Sequence, residues 1–411
     1  MGPCISTSKK AAESPTHSAM SSKRESHSSN LHTVNPDIKI HSVISSELDY
    51  DHDTAMGMPL GEVSDESLLA EVARRRLDIH DKITDSMVKE TYSVGKVLGH
   101  GASGEVYCVT HKITGKQFAC KVVKKNANMN DAQSMSTEIE IMKRIRHRHI
   151  VSMYELYETP KCLWIVLELV DGGDLYHFLA NATNYNEVVA ARQMKQVLSG
   201  VHYLHSLGVV HRDLKLDNIL LAGSVDNCEV KIADFGLSAL VRLDEDGYDA
   251  EESGKRKRYD HLKEVSEGVG IYFAPEVINQ AYGPQADVWA LGCVLYEMLC
   301  GEQAFPTREG DKKNIYYARI CEGKYDLKKT AFATVSKEAK DLLAGMLCVD
   351  PTKRLSASEC LLHPWITGKC HTEKHSTPLP EVQEHMMHRI ERRRRKAQQQ
   401  KQQQQQQQGQ H

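Results

Sequence analysis

The chain has 411 residues, a hydrophobic fraction of 40% and a formal net charge of −3. It is long enough to bury a real core in two or three structural units, and its charge argues against a generic, strongly basic nucleic-acid binder. The 11 cysteines include no Cys-x-x-Cys pair, which favours reduced thiols in a cytoplasmic or nuclear setting. No apolar run approaches the roughly 20 residues of a membrane helix.

The first segment, residues 1–63, is rich in Ser and His and lacks a hydrophobic period, so we expect disorder. It has no apolar core of the secretory type. Its start fits the loose acylation pattern, with Gly2 as the acceptor beside an awkward Pro3 and with Cys4 as a second anchor. We favour an unmodified start and expect membrane association only if these residues are lipidated. Residues 64–91 show near-helical apolar spacing and are predicted to form a helical linker.

Residues 92–170 change to short alternating strands around a helix predicted over 131–146. Their glycine stretch, Gly99 to Val106, reads G-x-G-x-x-G-x-V. A Rossmann loop looks similar but opens a helix, whereas Val106 begins a strand-like run. Glycines here let backbone N–H groups approach phosphates without a Cβ in the way.

Residues 171–366 are mainly helical in pattern and hold the most informative stretch of the chain. His211 to Asn218 reads H-R-D-L-K-L-D-N, and D-F-G follows at 234–236. A carboxylate, an ammonium and an amide on one loop, with a second carboxylate on the next, suit phosphoryl transfer from a magnesium nucleotide. Residues 367–411 turn basic and then Gln-rich, which predicts a disordered tail or a solvated helix that can self-associate.

These motifs together resemble those of the eukaryotic protein kinases, from about residue 92 to residue 365. Further matching motifs are Ala274-Pro275-Glu276, Asp287-Val288-Trp289, and Arg354 as the partner of Glu276. The resemblance implies an α+β, bilobal protein kinase fold over 92–366. A small β-rich N-lobe with one main helix (92–170) would precede a larger α-helical C-lobe (171–366), and disordered tails would flank both.

The resemblance also implies a Ser/Thr protein kinase that uses ATP and Mg²⁺ to phosphorylate protein substrates. Asp213 would be the catalytic base. Lys215 would stabilise the transferring phosphoryl group, and its place two residues after Asp213 resembles Ser/Thr kinases and not Tyr kinases. Asn218 and Asp234 would bind magnesium. The residues expected to contact ATP are Leu98, Gly99, Gly101, Gly104, Val106, Ala119, Lys121, Glu138, Glu168, Val170, Asp174 and Leu220.

Some of these expectations are more specific. Glu138 would hold Lys121 in an ion pair; Glu140 is the rival, and Glu138 fits the family spacing better. Leu167 resembles the gatekeeper beside the adenine site, and the hinge backbone would follow it.

Three acids match positions where kinases that prefer basic substrates carry carboxylates: Asp174, Asp217 and Glu297. They would attract Arg two or three residues before the phosphoacceptor. The alternative is that Asp174 serves only the ribose and that the others are ordinary surface acids. The run 75–79 resembles such a substrate with Asp78 in place of Ser; we favour a charged helix face over a pseudosubstrate.

Within the kinases, the chain most resembles the calcium/calmodulin-dependent and calcium-dependent groups. Residues 171–175 and 350–365 carry that likeness. No calcium-binding hand follows the kinase domain, so calcium would act only through a partner. The segment 382–396 has apolar residues beside an Arg run, as a calmodulin target does, but we favour a plain basic tail.

Regulation is expected in the activation segment. Arg212 precedes Asp213, which in the family signals dependence on an anion, and Lys231 would assist it. Phosphorylated Ser266, or the neighbouring acids of the chain, would supply that anion. Val269 stands where the family usually has Thr, so we expect slower turnover; this is the main support for the alternative of a catalytically weak, nucleotide-binding pseudokinase scaffold. The run 147–149 replaces the usual His-Pro-Asn and is expected to loosen a turn.

Overall fold

The computed structural model describes most of the chain from residue 85 onward. The described ranges are 40–42, 85–101, 104–125, 138–159, 161–223, 228–241, 272–279, 283–308 and 311–408. The predictions for Gly2 and Cys4, for the run 75–79, and for Ser266 and Val269 lie outside these ranges.

The N-lobe is an antiparallel sheet of six strands in the order β1-β5-β6-β4-β3-β2. The strands are β1 (Ile40–Ser42), β2 (Tyr92–Gly101), β3 (Gly104–His111), β4 (Gln117–Lys124), β5 (Met153–Glu158) and β6 (Cys162–Leu167). Helix α1 (Asp85–Thr91) precedes β2, and helix α2 is described over 138–144. Aromatic and β-branched residues dominate the buried face, as strand propensity predicts.

The C-lobe is helical and surrounds one central helix. Its helices are α3 (Leu175–Asn181), α4 (Glu187–Ser206), α5 (Pro275–Ile278), α6 (Pro284–Cys300), α7 (Lys313–Cys321), α8 (Lys337–Met346), α9 (Ala357–Leu362), α10 (Pro364–Thr367) and α11 (Pro380–Gln408). Helix α6 is buried on all sides from Ala286 to Cys300, because its residues apart from Asp287 and Glu297 are mostly apolar around the whole circumference. No helix in the described part of the chain is long and apolar enough to cross a bilayer.

Within the described residues, four short strands lie between α4 and α5, and the H-R-D and D-F-G segments lie in the loops between them. They are β7 (Val209–Val210), β8 (Ile219–Ala222), β9 (Glu229–Ile232) and β10 (Ala239–Leu240). β8 pairs with β9, and β7 pairs with β10. A parallel bridge between Ile150 and Ile232 joins the N-lobe turn to β9. The α+β, bilobal prediction is therefore confirmed.

The prediction of a disordered C-terminal tail over 367–411 is wrong for most of that segment. Helix α11 is continuous from Pro380, and its first turns lie against α3 and α6. Val382 and Met386 are fully buried. Their spacing of four residues puts both on one helix face, so burial of that face orders a segment whose composition alone suggests disorder. From Glu391 onward most side chains are exposed, as a solvated helix would be.

A second correction concerns the turn at 147–149, which is not loosened. His147 stacks on Tyr203 with ring centroids 5.1 Å apart, and its Nε2 lies 3.3 Å from Ser199 Oγ. His149 Nδ1 lies 3.1 Å from the Val230 carbonyl oxygen. These contacts tie the turn to the C-lobe.

Candidate active site

The three polar residues of the loop after β7 form one hydrogen-bonded group. Lys215 Nζ lies 2.6 Å from Asp213 Oδ2, and Asn218 Nδ2 donates to the same oxygen and to the Asp213 carbonyl, each at 2.8 Å. Both donors fix the Asp213 carboxylate in one orientation. The carboxylate is partly exposed, so a substrate hydroxyl can reach it.

A buried carboxylate shapes the start of this loop. Asp287, on α6, accepts hydrogen bonds from the backbone N–H groups of His211 and Arg212, each at 2.9 Å. Burial opposes ionisation of Asp287, but hydrogen bonds from the His205 ring and the His211 backbone hold its pKa below the usual range. Arg212 adopts a left-handed conformation with φ of 69°. Asp287 thus holds the loop against the core while satisfying N–H groups that no strand pairs.

Lys121 joins both lobes beneath the glycine loop. Its Nζ lies 2.7 Å from Glu138 Oε1 and 3.2 Å from Asp234 Oδ1. Burial alone would lower the pKa of Lys121, but the two carboxylates raise it above its usual value. Burial alone would raise the pKa of Asp234, but the Lys121 ammonium lowers it below its usual value. The expected pair therefore forms with Glu138, whereas Glu140 pairs with Arg144 on the helix surface.

Asn218 and Asp234 provide the donor set that magnesium prefers, which is oxygen. Asn218 uses its Nδ2 atom on Asp213, so its amide oxygen is the atom left for a metal. Asp234 has a left-handed φ of 64°, and the ring of the next residue, Phe235, is buried 5.0 Å from that of His211. The described residues contain no cluster of three His, Cys, Asp or Glu side chains that would hold a metal alone.

The predicted adenine-site residues come from neighbouring strands. Ala119 of β4 is opposite Leu167 at the end of β6, and Leu220 of β8 forms a bridge with Asp174. Glu168 follows Leu167, and its backbone N–H donates to Ser152 at 2.9 Å. Val170 follows in the segment that joins the two lobes, and Asp174 precedes α3 of the C-lobe.

The described glycines of this stretch lie at the end of β2 and at the start of β3. Leu98, Gly99 and Gly101 lie on β2, and Val106 of β3 is opposite Lys121. Gly104 has a φ of 144°, and a Cβ there would come within 2.2 Å of the Val122 carbonyl oxygen. Only glycine fits this position, because both the conformation and the space exclude a side chain.

Lys231 does not assist Arg212, contrary to the expectation from sequence. Its ammonium lies 2.8 Å from Glu168 Oε1, and the second Glu168 oxygen accepts from the Ser152 N–H at 3.2 Å. Side chains alternate in direction along β9, so Lys231 points to the hinge. It links the strand before Asp234 with the segment expected to contact adenine.

The acids predicted to bind substrate already hold partners from the chain itself. Arg389 of α11 donates through both Nη atoms to Glu297 at 3.2 Å, and Arg393 donates to Asp217 at 2.8 Å. Glu297 is only 1% exposed and also accepts from the Tyr272 hydroxyl. Asp174 instead caps α3, accepting from the His177 N–H at 2.8 Å. The structure thus brings Asp217 and Glu297 together under α11, whereas Asp174 caps α3.

Helix α11 also provides hydrogen-bond partners for the carbonyl groups at the C-terminal end of α6. His385 Nδ1 lies 2.7 Å from the Cys300 carbonyl oxygen, and Arg389 donates to the Gly301 carbonyl at 3.1 Å. Carbonyls at a helix C-terminus lack partners within the helix and favour cations nearby. Gly301 has a φ of 73°, and a Cβ there would lie 2.6 Å from the Val382 carbonyl oxygen. This glycine is what lets α11 approach so closely.

Comparison with known proteins decides the family. Residues 92–366 match the family model described as "Protein kinase domain". The chain belongs to the protein kinase family. The assembled Lys121–Glu138 pair and the D-F-G segment are the parts that this family uses in phosphoryl transfer.

Named relatives place this kinase in the calcium/calmodulin-dependent group. It is 34% identical over 304 residues to myosin light chain kinase A of Dictyostelium discoideum, covering 74% of this chain and 96% of that one. It is 37% identical to human calcium/calmodulin-dependent protein kinase type IV and 36% identical to calcium-dependent protein kinase 17 of Arabidopsis thaliana, covering 69% and 68% of this chain. The matches span 55% and 50% of those two proteins. The kinase is thus an ATP-dependent protein serine/threonine kinase.

Sequence reasoning missed the roles of Arg389 and Arg393. A signal was present, because the two arginines are four residues apart and alternate with the apolar positions Met386 and Ile390. That spacing places all of them along one side of a helix.

Proposed function

We propose that this kinase phosphorylates Ser/Thr in proteins with Arg upstream of the acceptor, and that helix α11 competes with those substrates. One observation carries the proposal: arginines of the chain occupy both Glu297 and Asp217. Two carboxylates that each hold a guanidinium group in the folded chain have the spacing and charge to hold those of a peptide.

The chemistry follows from the side chains around Asp213. Asp213 accepts the proton of the substrate hydroxyl, and Lys215 neutralises charge that develops on the transferred group. Lys121, fixed by Glu138, holds the nucleotide phosphates. Asn218 and Asp234 would hold magnesium, which would neutralise charge on the phosphate oxygens.

A peptide panel tests the Arg preference. Peptides with Arg or Ala two and three residues before a Ser are assayed with the double variant Arg389→Ala/Arg393→Ala. In this variant Glu297 and Asp217 no longer bind arginines of the tail. We expect Arg to raise kcat/KM by about ten- to a hundredfold, since charged pairs of this kind contribute about 1.5–3 kcal/mol. Asp217→Asn should remove part of the preference. Equal rates for the Arg and Ala peptides would contradict the proposal.

Helix α11 links this site to a regulator. Met386 is buried against the C-lobe, whereas Met387 is half exposed. A calmodulin-type partner that took the apolar face of α11 would therefore release both arginines and expose the acids. Calcium-dependent calmodulin binding with a rise in peptide phosphorylation would support this partner, and binding without any rise would count against it.

None of the described cysteines forms a disulfide, in keeping with the cytoplasmic location that we propose.

A further inference from the structure

The ring of Tyr176 lies where the two tail arginines meet the acids. The Arg393 guanidinium carbon is 3.8 Å from the ring centroid, and that of Arg389 is 5.3 Å from it. The same Arg393 group donates to Asp217 at 2.8 Å. One guanidinium thus has a carboxylate at its edge and an aromatic face beneath it.

The C-lobe itself contributes to the placement of Tyr176. It belongs to the first turn of α3, whose N-terminus Asp174 caps, and α3 packs against the turn Leu216–Asn218 that carries Asp217. The ring and the carboxylate are therefore held together by the C-lobe itself. A peptide that displaced α11 would meet both at once.

The Tyr176 hydroxyl is a second feature of this surface. It is buried and has no hydrogen-bond partner within the described part of the chain. A Tyr hydroxyl in a permanent core usually finds a partner. Displacement of α11 would expose this hydroxyl to water, so the missing partner fits a surface that the tail covers only some of the time.

Arginine and lysine differ in what they gain from such a pair. A guanidinium is planar, delocalised and weakly hydrated, so it can lie on a ring while its edge donates to a carboxylate. A lysine ammonium is a compact, strongly hydrated charge that can pair with Asp217 but loses hydration if it also lies on the ring. Asp217 alone would hardly distinguish the two side chains.

We propose that Tyr176 is a specificity-determining residue: its ring forms the floor of the Asp217 site and makes it select arginine over lysine in the substrate. The inference rests on the proposed function, because it assumes that Asp217 receives a basic side chain of the peptide. It adds the residue that decides which basic side chain is accepted.

The test uses the full chain with Arg389→Ala/Arg393→Ala and three peptides that differ only at the position entering the Asp217 site, which carries Arg, Lys or Ala. We expect kcat/KM for the Arg peptide to exceed that for the Lys peptide about tenfold, in line with a partly desolvated cation–π contact. Tyr176→Leu should reduce this ratio to about twofold through loss on the Arg peptide alone. Tyr176→Phe, the matched control, keeps the ring and should keep the ratio.

The outcomes separate the two levels of the argument. If Arg and Lys peptides react equally and both exceed Ala, the substrate preference stands and the role of Tyr176 is overturned. If all three react equally, the proposed function itself fails. Thermal unfolding checks that Tyr176→Leu is folded; if it is not, the Phe variant still decides, because a ratio lowered by loss of the hydroxyl alone would overturn the ring's role.

Discussion

Replacing Arg389 by Ala should activate this kinase. Arg389 of α11 reaches the buried Glu297, at 3.2 Å. Burial raises the pKa of Glu297 even with Arg389 beside it. Without Arg389, a docked α11 would leave this carboxylate buried and without its cation, which typically costs about 3–5 kcal/mol. The helix can avoid that cost by leaving, since water then reaches Glu297.

The magnitude follows from that cost. A loss of about 3 kcal/mol changes the ratio of docked to undocked tail about a hundredfold, at 1.4 kcal/mol per factor of ten. An intramolecular competitor raises the apparent KM by the reciprocal of the open fraction. We therefore expect KM for an Arg-containing peptide to fall at least tenfold at unchanged kcat. Arg393→Ala should act more weakly, about fivefold, because the half-exposed pair with Asp217 contributes about 1 kcal/mol.

Steady-state kinetics on the full chain measures this effect. Arg395→Ala is the matched control, because that side chain is exposed and its ion pair is with Glu391 of the same helix. It should leave KM unchanged. An Arg389→Ala protein that is folded by thermal unfolding but has the KM of the unaltered chain would refute the competition.

Three further predictions concern the scaffold. Lys231→Met and Glu168→Gln should each raise KM for ATP about fivefold, through loss of about 1 kcal/mol at the hinge, and the double variant should add nothing; additive effects would contradict the pair's role. Burial lowers the pKa of His147 to about 4, so the unfolded chain takes up its proton first and the free energy of unfolding should fall as pH drops from about 6.5 to 4. In urea titrations, His147→Asn should remove ~1 kcal/mol of this fall in the free energy of unfolding, a value reduced because the ring is half exposed. An unchanged pH dependence would contradict this role of His147. Arg354→Met should lower the free energy of unfolding by about 3–5 kcal/mol, since it leaves Glu276 buried without its cation, and calorimetry showing no loss would contradict this.

The fold and the catalytic side chains could be read from the sequence because their signals are local. The glycine spacing, the H-R-D loop and the D-F-G segment each lie within a few residues, and their order fixes which strands and helices carry them. Lys121 and Glu138 are 17 positions apart, and the spacing of the family that the chain resembles favoured Glu138 over Glu140.

The tail could not be read in the same way. Its composition indicates disorder, and its order depends on Glu297, which lies 92 positions earlier in the chain than Arg389. Nothing in the tail's own residues shows that its partners lie at the end of α6, where a carboxylate, two carbonyl groups without partners in the helix and a glycine receive it. The contact of Lys231 was predicted wrongly for a related reason. The residues that face a strand, and not the strand itself, decide what its side chains contact.

The most direct test of the account is phosphorylation of an Arg-x-x-Ser peptide by the variant Arg389→Ala/Arg393→Ala, with and without Asp213→Asn. Asp213 accepts hydrogen bonds from Lys215 and Asn218, and we propose that it is the base. We predict turnover faster than that of the unaltered chain, reduced by Asp213→Asn to the background of the assay at unchanged thermal stability. Equal turnover with Asp213 and with Asn at position 213 would contradict the assignment of this site as the place of phosphoryl transfer.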